Sequence, residues 1–284
     1  VSLYAGEYER ESESRVAGVR IRAPMLRIDT VAAGGGSVCR FDGARFLVGP
    51  ESAGAIPGPA CYRRGGPLTI TDCNLLLGKL QPDFFPAVFG HGANEALDRG
   101  AAQRCIDAVR REIATATGRP MSREATAEGF VAVAVAQMAQ AIRGISVARG
   151  HDVAQFALNC FGGAGGQHAC LVADALGIET VLVHPLAGVL SAYGMGLADR
   201  RAVIESTLAL PLAGCDAALG EATARLSAAA RDALVAQGVP GKRIETRGEA
   251  HIRLAAGDST IPVALASEPA MRAAFDAAHR ARFG

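Results

Sequence analysis

Between residues 156 and 183 the chain spells out one supersecondary unit in full. Phe156-Ala-Leu-Asn-Cys-Phe161 is an apolar run of strand length, and Gly162-Gly-Ala-Gly-Gly166 is a glycine turn. Gln167 to Leu176 reads as a helix closed by Gly177, and Thr180-Val-Leu-Val183 is a second strand. Two parallel strands need a crossover between them, usually a helix, so this segment commits the chain to an α/β architecture. The bare amides of the turn and the helix N-terminus beyond it suit a phosphate or the flat face of a nucleotide. Five residues this small can also simply turn tightly, and the loop alone leaves both readings open. It is not a Walker loop, since no Gly-Lys-Ser/Thr follows. The dinucleotide fingerprint also fits poorly, because His168 stands where the third glycine belongs.

The remainder of the chain narrows the class. With 284 residues the length suits two domains or one large one, and 50% hydrophobic against 20% charged residues excludes a disordered chain. Lys and Arg number 29 against 28 for Asp and Glu, which gives no electrostatic reason to bind nucleic acid or an anionic membrane. The richest apolar stretch, Val181 to Ala198, is interrupted by His184, Pro185 and three glycines, and the N-terminus carries no signal pattern. The seven cysteines form no Cys-x-x-Cys pair and the six histidines no His-x-x-x-His pair. A reduced, cytoplasmic setting with most thiols buried follows from that usage.

Residues 1 to about 60 read as strands and tight turns. Met25 to Val31 and Arg45 to Val48 are β-rich, with turns at Ala32-Ala-Gly-Gly-Gly-Ser37 and Asp42-Gly43. A loop dense in glycine and proline follows from Gly49 to Tyr62 and on to Pro67; it is too apolar for a linker and reads as an ordered functional loop. Two helices are expected, from about Asn94 to Thr117 and from about Ser122 to Arg149, closed by Gly118 and Gly150. In the second, Phe130, Ala134, Met138, Ala141, Ile142 and Ile145 make one apolar stripe, the mark of a core helix. A helix at about 216–237, a hairpin around Gly257-Asp258 and a last helix at about 268–282 complete the chain. The expected division is 1–90, a β-rich part; 91–200, helices and the glycine-loop unit; and 201–284, an α+β segment.

Several residues are candidates for chemistry. Gly34, Gly35, Gly36 and Ser37 offer three flexible amides and a hydroxyl, as a hairpin turn or an oxyanion cradle. Cys61, in the glycine- and proline-rich loop, is a candidate nucleophile. Asp72 either holds a divalent cation or caps the helix that follows. His168, in the first turn of the glycine-loop helix, faces a ligand or is a structural histidine.

Taken together, five motifs in order resemble the hydantoinase A/5-oxoprolinase family. They are Thr30-Val-Ala-Ala-Gly-Gly-Gly-Ser37; Val48-Gly-Pro-Glu-Ser-Ala-Gly-Ala55 with Pro57-Gly-Pro-Ala-Cys-Tyr62; Thr71-Asp-Cys-Asn-Leu-Leu-Leu-Gly-Lys-Leu80; Cys160-Phe-Gly-Gly-Ala-Gly-Gly-Gln-His-Ala-Cys170; and Gly188-Val-Leu-Ser-Ala-Tyr-Gly194. The Gly-Gly-Gln-His form of the loop is more similar to the 5-oxoprolinase branch. The resemblance implies an incomplete actin/Hsp70-like (ribonuclease-H-like) ATPase lobe with a helical insertion. It implies ATP with Mg²⁺ or another divalent cation, and phosphorylation of a cyclic amide before water opens the ring. Gly162, Gly163, Ala164, Gly165, Gly166 and Gln167 then match the adenosine-side loop. Gly34 to Gly36, Ser37, Ser52 and Cys61 line the cleft towards substrate or phosphate, and Asp72 stands as the metal candidate.

The family's Gly-Gly-Thr-Ser-Thr-Asp loop, its first-lobe phosphate hairpin and its hydrolytic half are not in this sequence. With no initiator Met, the expectation is a fragment, inactive alone, of an oligomeric enzyme. Its partners would be a small lactam and a hydrolytic subunit or C-terminal half, with no nucleic acid and no membrane. Two other classes stay open: a non-catalytic nucleotide-binding domain, and a cysteine-dependent amidohydrolase using Cys61.

Overall fold

The fold is described from a computed structural model, in all residues except 7, 9, 12–13, 17–18, 22–24, 32, 148–149, 258–259 and 284. The chain divides into two compact units, Val1–Gly196 and Leu197–Gly284.

The first unit opens with short antiparallel pairs: β1 (Arg10–Glu11) with β4 (Met25–Leu26), and β2 (Ser14–Val16) with β3 (Val19–Ile21). The strand expected over Met25 to Val31 thus stops early, and Ala32 of the following turn lies outside the described residues. β5 (Ser37–Phe41) and β6 (Phe46–Ser52) form the expected hairpin. Its turn is held by Asp42, whose Oδ1 accepts the Ala44 and Arg45 amides at 3.0 and 2.9 Å.

Four helices build the core. α1 (Ile70–Leu76) is short. α2 (Arg99–Thr117) begins five residues later than the sequence suggests because Asp98 caps it, accepting the Ala101 amide at 3.0 Å; Gly118 closes it in the left-handed conformation. α3 (Arg123–Ser146) starts at the Ser122 cap as expected, and residues 148–149 of its expected end lie outside the described part. α3 is the one helix among the described residues long and apolar enough to span a membrane. Here α1, α2, β6 and the later helix α4 (Ala169–Leu176) pack around it. Phe130 is wholly buried, its ring edge-on to Phe46 at 4.7 Å, and Gly129 lets the Phe46 ring lie against the helix.

The strand–turn–helix–strand unit is present as β7 (Leu158–Cys160), the glycine turn, α4 (Ala169–Leu176) and β8 (Val181–Val183). β7 and β8 run parallel, with Leu158 opposite Val181 and Cys160 opposite Val183. One apolar core extends from Ala33 to Ile178, so residues on both sides of position 90 share it. Strands among the described residues pair only two by two, so no continuous sheet is among them. α5 (Leu190–Leu197), an apolar helix with no buried residue, was not foreseen.

The second unit has α6 (Asp216–Ala236), the antiparallel pair β9 (Glu249–Ile252) and β10 (Ile261–Ala264), and α7 (Glu268–Phe283). Asp258 of the expected hairpin turn lies outside the described residues. Ile261, Val263, Met271 and Phe275 form its own small core.

Candidate functional site

α1 organises everything that surrounds it. Its N-cap, Thr69, is fully buried, as is Asp72 one turn in. The Asp72 carboxylate accepts four hydrogen bonds. Oδ1 takes the Cys61 amide at 2.8 Å, and Oδ2 takes the Ala60 amide at 3.1 Å, the Thr69 amide at 2.8 Å and the Thr69 hydroxyl at 2.9 Å. Both carboxylate oxygens are thus engaged, Oδ1 by one donor and Oδ2 by three. Asp72 therefore caps α1 and pins the 59–61 backbone, and the metal-ligand expectation for it is corrected. Among the described residues no group of three or more His, Cys, Asp or Glu side chains is placed to hold a metal ion.

Cys61 is corrected in the same way. It is wholly buried, and burial, reinforced by the Asp72 charge, pushes its thiol far above the ordinary range. A nucleophilic cysteine needs the opposite environment, an exposed and electropositive one. The loop around it is nonetheless ordered, as the sequence suggests. Arg63 donates to the Ala96 carbonyl at 2.7 Å, and a Cβ on Gly66 would overlap the Gly58 carbonyl.

The first glycine turn lies against α1. Thr71 donates both its amide (2.8 Å) and its hydroxyl (2.9 Å) to the Gly35 carbonyl. Ser37 is buried, and its Oγ accepts the Gly34 amide at 2.9 Å. That hydroxyl closes its own turn from inside. Ser52, opposite Ser37 across the hairpin, is exposed; its Oγ accepts the Gly54 amide at 3.2 Å and lies over Gly36.

The second glycine turn meets the first. A Cβ built on Gly35 would stand 3.5 Å from the Ala164 methyl and 2.8 Å from Thr71 Oγ1. Within the loop the glycines divide by role. Gly162 has a left-handed φ of +92°, and its amide donates to the Ala187 carbonyl at 2.8 Å. A Cβ on Gly165 would come 2.8 Å from the buried Cys160 sulfur. At Gly163 and Gly166 a Cβ would enter open space. Neither backbone strain nor packing demands glycine at those two positions, so the surface there is bare backbone facing outward.

Beyond the loop, α1 reaches the start of α4 through Asn74, a residue the sequence reading did not single out. Asn74 is wholly buried, and its Nδ2 donates to Gln167 Oε1 at 2.6 Å and lies 3.1 Å from His168 Nε2. His168 is 3% exposed, so it is a buried histidine facing α1. Desolvation, helped by the nearby Lys79 charge, lowers its pKa to about 4, so it is neutral at pH 7. Lys79 Nζ donates to the Gln167 carbonyl at 3.2 Å. Lys79, Gly166, Gln167, Cys170 and Leu171 line an open pocket of about 500 Å³. The signal that would have found Asn74 is one amide inside the apolar run Cys73-Asn-Leu-Leu-Leu77.

Residues 1–204 match the hydantoinase/oxoprolinase family. The chain belongs to that family. Among its relatives, 5-oxoprolinase 1 of Arabidopsis thaliana is 48% identical over 205 residues, 70% of this chain and 16% of that protein. The 5-oxoprolinase of Dictyostelium discoideum is 39% identical over 289 residues, 100% of this chain and 23% of that one. The hydantoinase/oxoprolinase chain thus spans about a fifth of the length of these curated relatives. The crystal structure of the ATP-dependent caprolactamase from Pseudomonas jessenii superposes with a TM-score of 0.80 at 35% identity, covering 97% of this chain and 40% of that one. The α/β fold is that of this enzyme family.

Proposed function

We propose that this chain is the nucleotide-binding portion of an ATP-dependent cyclic-amide hydrolase, acting on 5-oxo-L-proline or a hydantoin-like ring. The observation that carries the reading is the meeting of two glycine turns on α1. Gly35 lies against Thr71 and Ala164, beside the outward bare backbone of Gly163 and Gly166. Open bare backbone at Gly163 and Gly166, next to the amides that open a helix, fits a nucleotide. The named activities of the family members, 5-oxoprolinase and ATP-dependent caprolactamase, agree with it. On this reading the chain is part of an actin/Hsp70-like lobe in a larger cytoplasmic enzyme, with a hydrolytic subunit or C-terminal half as partner.

The chemistry explains the need for ATP. An unstrained amide carbonyl is a poor electrophile, and ATP supplies a phosphoryl group that turns its oxygen into a leaving group. The chain's own residues bind and position. Gly163, Gly166 and the amides opening α4 let the nucleotide approach closely, while Gly34 to Gly36 and the exposed Ser52 face the reacting end. Among the described residues Asp72 is buried and already accepts four protein donors, and no acidic cluster is placed to hold Mg²⁺, so no step is assigned to a protein-held metal.

Calorimetric titration of ATP into the chain tests the reading, with Cys61→Ala run in parallel. Saturable ATP binding that survives Cys61→Ala is expected. Absence of saturable ATP binding would overturn the reading.

A further inference from the structure

We propose that Lys79 and Gln167 form a donor-only wall that binds an oxyanion of the ligand, and that Asn74 is the positioning residue that fixes it. This rests on the nucleotide reading above for its setting and adds a binding site beyond the glycine loop. The argument starts from the buried amide. Asn74 Nδ2 donates to Gln167 Oε1 at 2.6 Å, so the acceptor end of the Gln167 amide is spent on α1. Its Nε2 group, with two N–H donors, has no partner among the described residues and belongs to a side chain lining the 500 Å³ pocket.

Lys79 lines the same pocket. One of its hydrogens goes to the Gln167 carbonyl, and no carboxylate of the described residues pairs with its ammonium. The polar side chains given by this wall, apart from the Cys170 thiol, are therefore donors, and one carries full positive charge. His168 behind it is uncharged at pH 7 and buried, so it adds no competing charge. Two buried atoms, Asn74 Oδ1 and His168 Nδ1, lack partners.

A wall of this chemistry selects a group rich in acceptors and negatively charged. Two sources meet the description within the proposed reaction: the phosphates of the nucleotide and the carboxylate of a 5-oxoproline-like substrate. Leu171 and Cys170, which also line the pocket, supply the apolar contact that the remainder of either molecule needs.

The test uses Cys170, which is exposed and lines the pocket, as the reporter. The rate of its alkylation by iodoacetamide is followed by mass spectrometry in the wild type, Lys79→Met, Lys79→Arg and Gln167→Glu. The probes are inorganic pyrophosphate, ATP, adenosine, 5-oxoproline and 2-pyrrolidinone. Lys79→Met removes the charge and Lys79→Arg keeps it. Gln167→Glu keeps the acceptor Asn74 needs while placing a second acceptor in the pocket.

Protection by an anion that needs about tenfold more ligand in Lys79→Met and Gln167→Glu, and returns in Lys79→Arg, is the expected result. If pyrophosphate and ATP behave so while adenosine is indifferent to Lys79, the oxyanion is phosphate. If 5-oxoproline does and 2-pyrrolidinone fails to protect, it is the substrate carboxylate. No protection by any of the three anions, or equal protection in all variants, overturns the proposal. ATP binding that is lost in Gly163→Val, with no Lys79 dependence for pyrophosphate, ATP or 5-oxoproline, overturns the oxyanion wall and leaves the nucleotide reading standing. Lys79-dependent pyrophosphate protection with ATP binding intact in Gly163→Val does the reverse.

Discussion

Thr71 donates two hydrogen bonds to the carbonyl of Gly35, from its amide at 2.8 Å and from its hydroxyl at 2.9 Å. This double contact fixes the first glycine turn to the first residues of α1, 36 positions along the chain. The same helix, three residues later, holds Gln167 through Asn74. One short helix thus sets the separation between two loops distant in sequence. Thr71→Val keeps the shape and amide but removes the hydroxyl. It should cost about 1 kcal/mol in urea unfolding and weaken ATP binding more than its stability loss suggests; equal ATP affinity would show that the turn does not depend on this brace.

Asp72→Asn turns an acceptor of four donors into a group with one acceptor oxygen and an NH₂ facing donors. A loss of about 2–4 kcal/mol in denaturant stability is expected, larger than for an exposed carboxylate. Removing divalent cations with EDTA should leave the melting temperature of the ligand-free wild type unchanged, because the buried carboxylate already takes four donors from the protein. A fall in melting temperature on chelation would restore the metal role.

Thiol reactivity should follow burial. In the native protein Cys170, which is exposed, is alkylated first, and Cys39, Cys61 and Cys73, which are buried, react only on unfolding. Peptide mapping after a short iodoacetamide pulse reads this directly. Rapid labelling of Cys61 would reopen its candidacy as a nucleophile.

The neutral, buried His168 makes stability depend on pH in a defined direction. Its folded pKa of about 4 lies below its ordinary value of 6.5, so between those values the unfolded chain binds a proton that the folded chain does not. Unfolding free energy therefore falls as pH drops from about 6.5 towards 4, and this contribution is flat above that window. His168→Gln should flatten the slope there. Below about 3.8 a second loss is expected from Asp107, whose carboxyl is held low chiefly by Arg123 and Arg110. Identical pH slopes in wild type and variant between 4 and 6.5 would contradict the assignment.

What the sequence disclosed and what it concealed divide along a physical line. The glycine-loop unit, the caps at Ser122 and Gly118 and the Asp42 hairpin are set by residues a few positions apart, and each was visible there. α1 was legible only in part: the sequence offers a helix after Asp72, whereas it begins at Ile70, and seven residues are too few to show a helical period. Asn74 offered no sign of its partner, 93 residues away. Cys61 was a candidate nucleophile because its loop is crowded with glycine and proline. Only the packing shows that Asp72 draws that backbone into the core. α5 was read as a broken apolar stretch, since Gly194 and Gly196 interrupt it and none of its residues is buried in this chain.

The central claim is that the glycine loop receives a nucleotide, and Gly163→Val beside Gly162→Ala tests it most directly. Gly162 has the left-handed backbone, so its alanine variant should lose about 1–3 kcal/mol of stability. Gly163 has neither positive φ nor a neighbour within reach of a Cβ, so valine there should leave the melting temperature within a degree or two of wild type. Its isopropyl group would instead occupy the space into which the nucleotide must come. Thermal unfolding and ATP titration on both variants separate these effects. The account predicts a normally stable Gly163→Val protein whose ATP affinity falls by about tenfold or more. Full ATP affinity in that folded variant would contradict it.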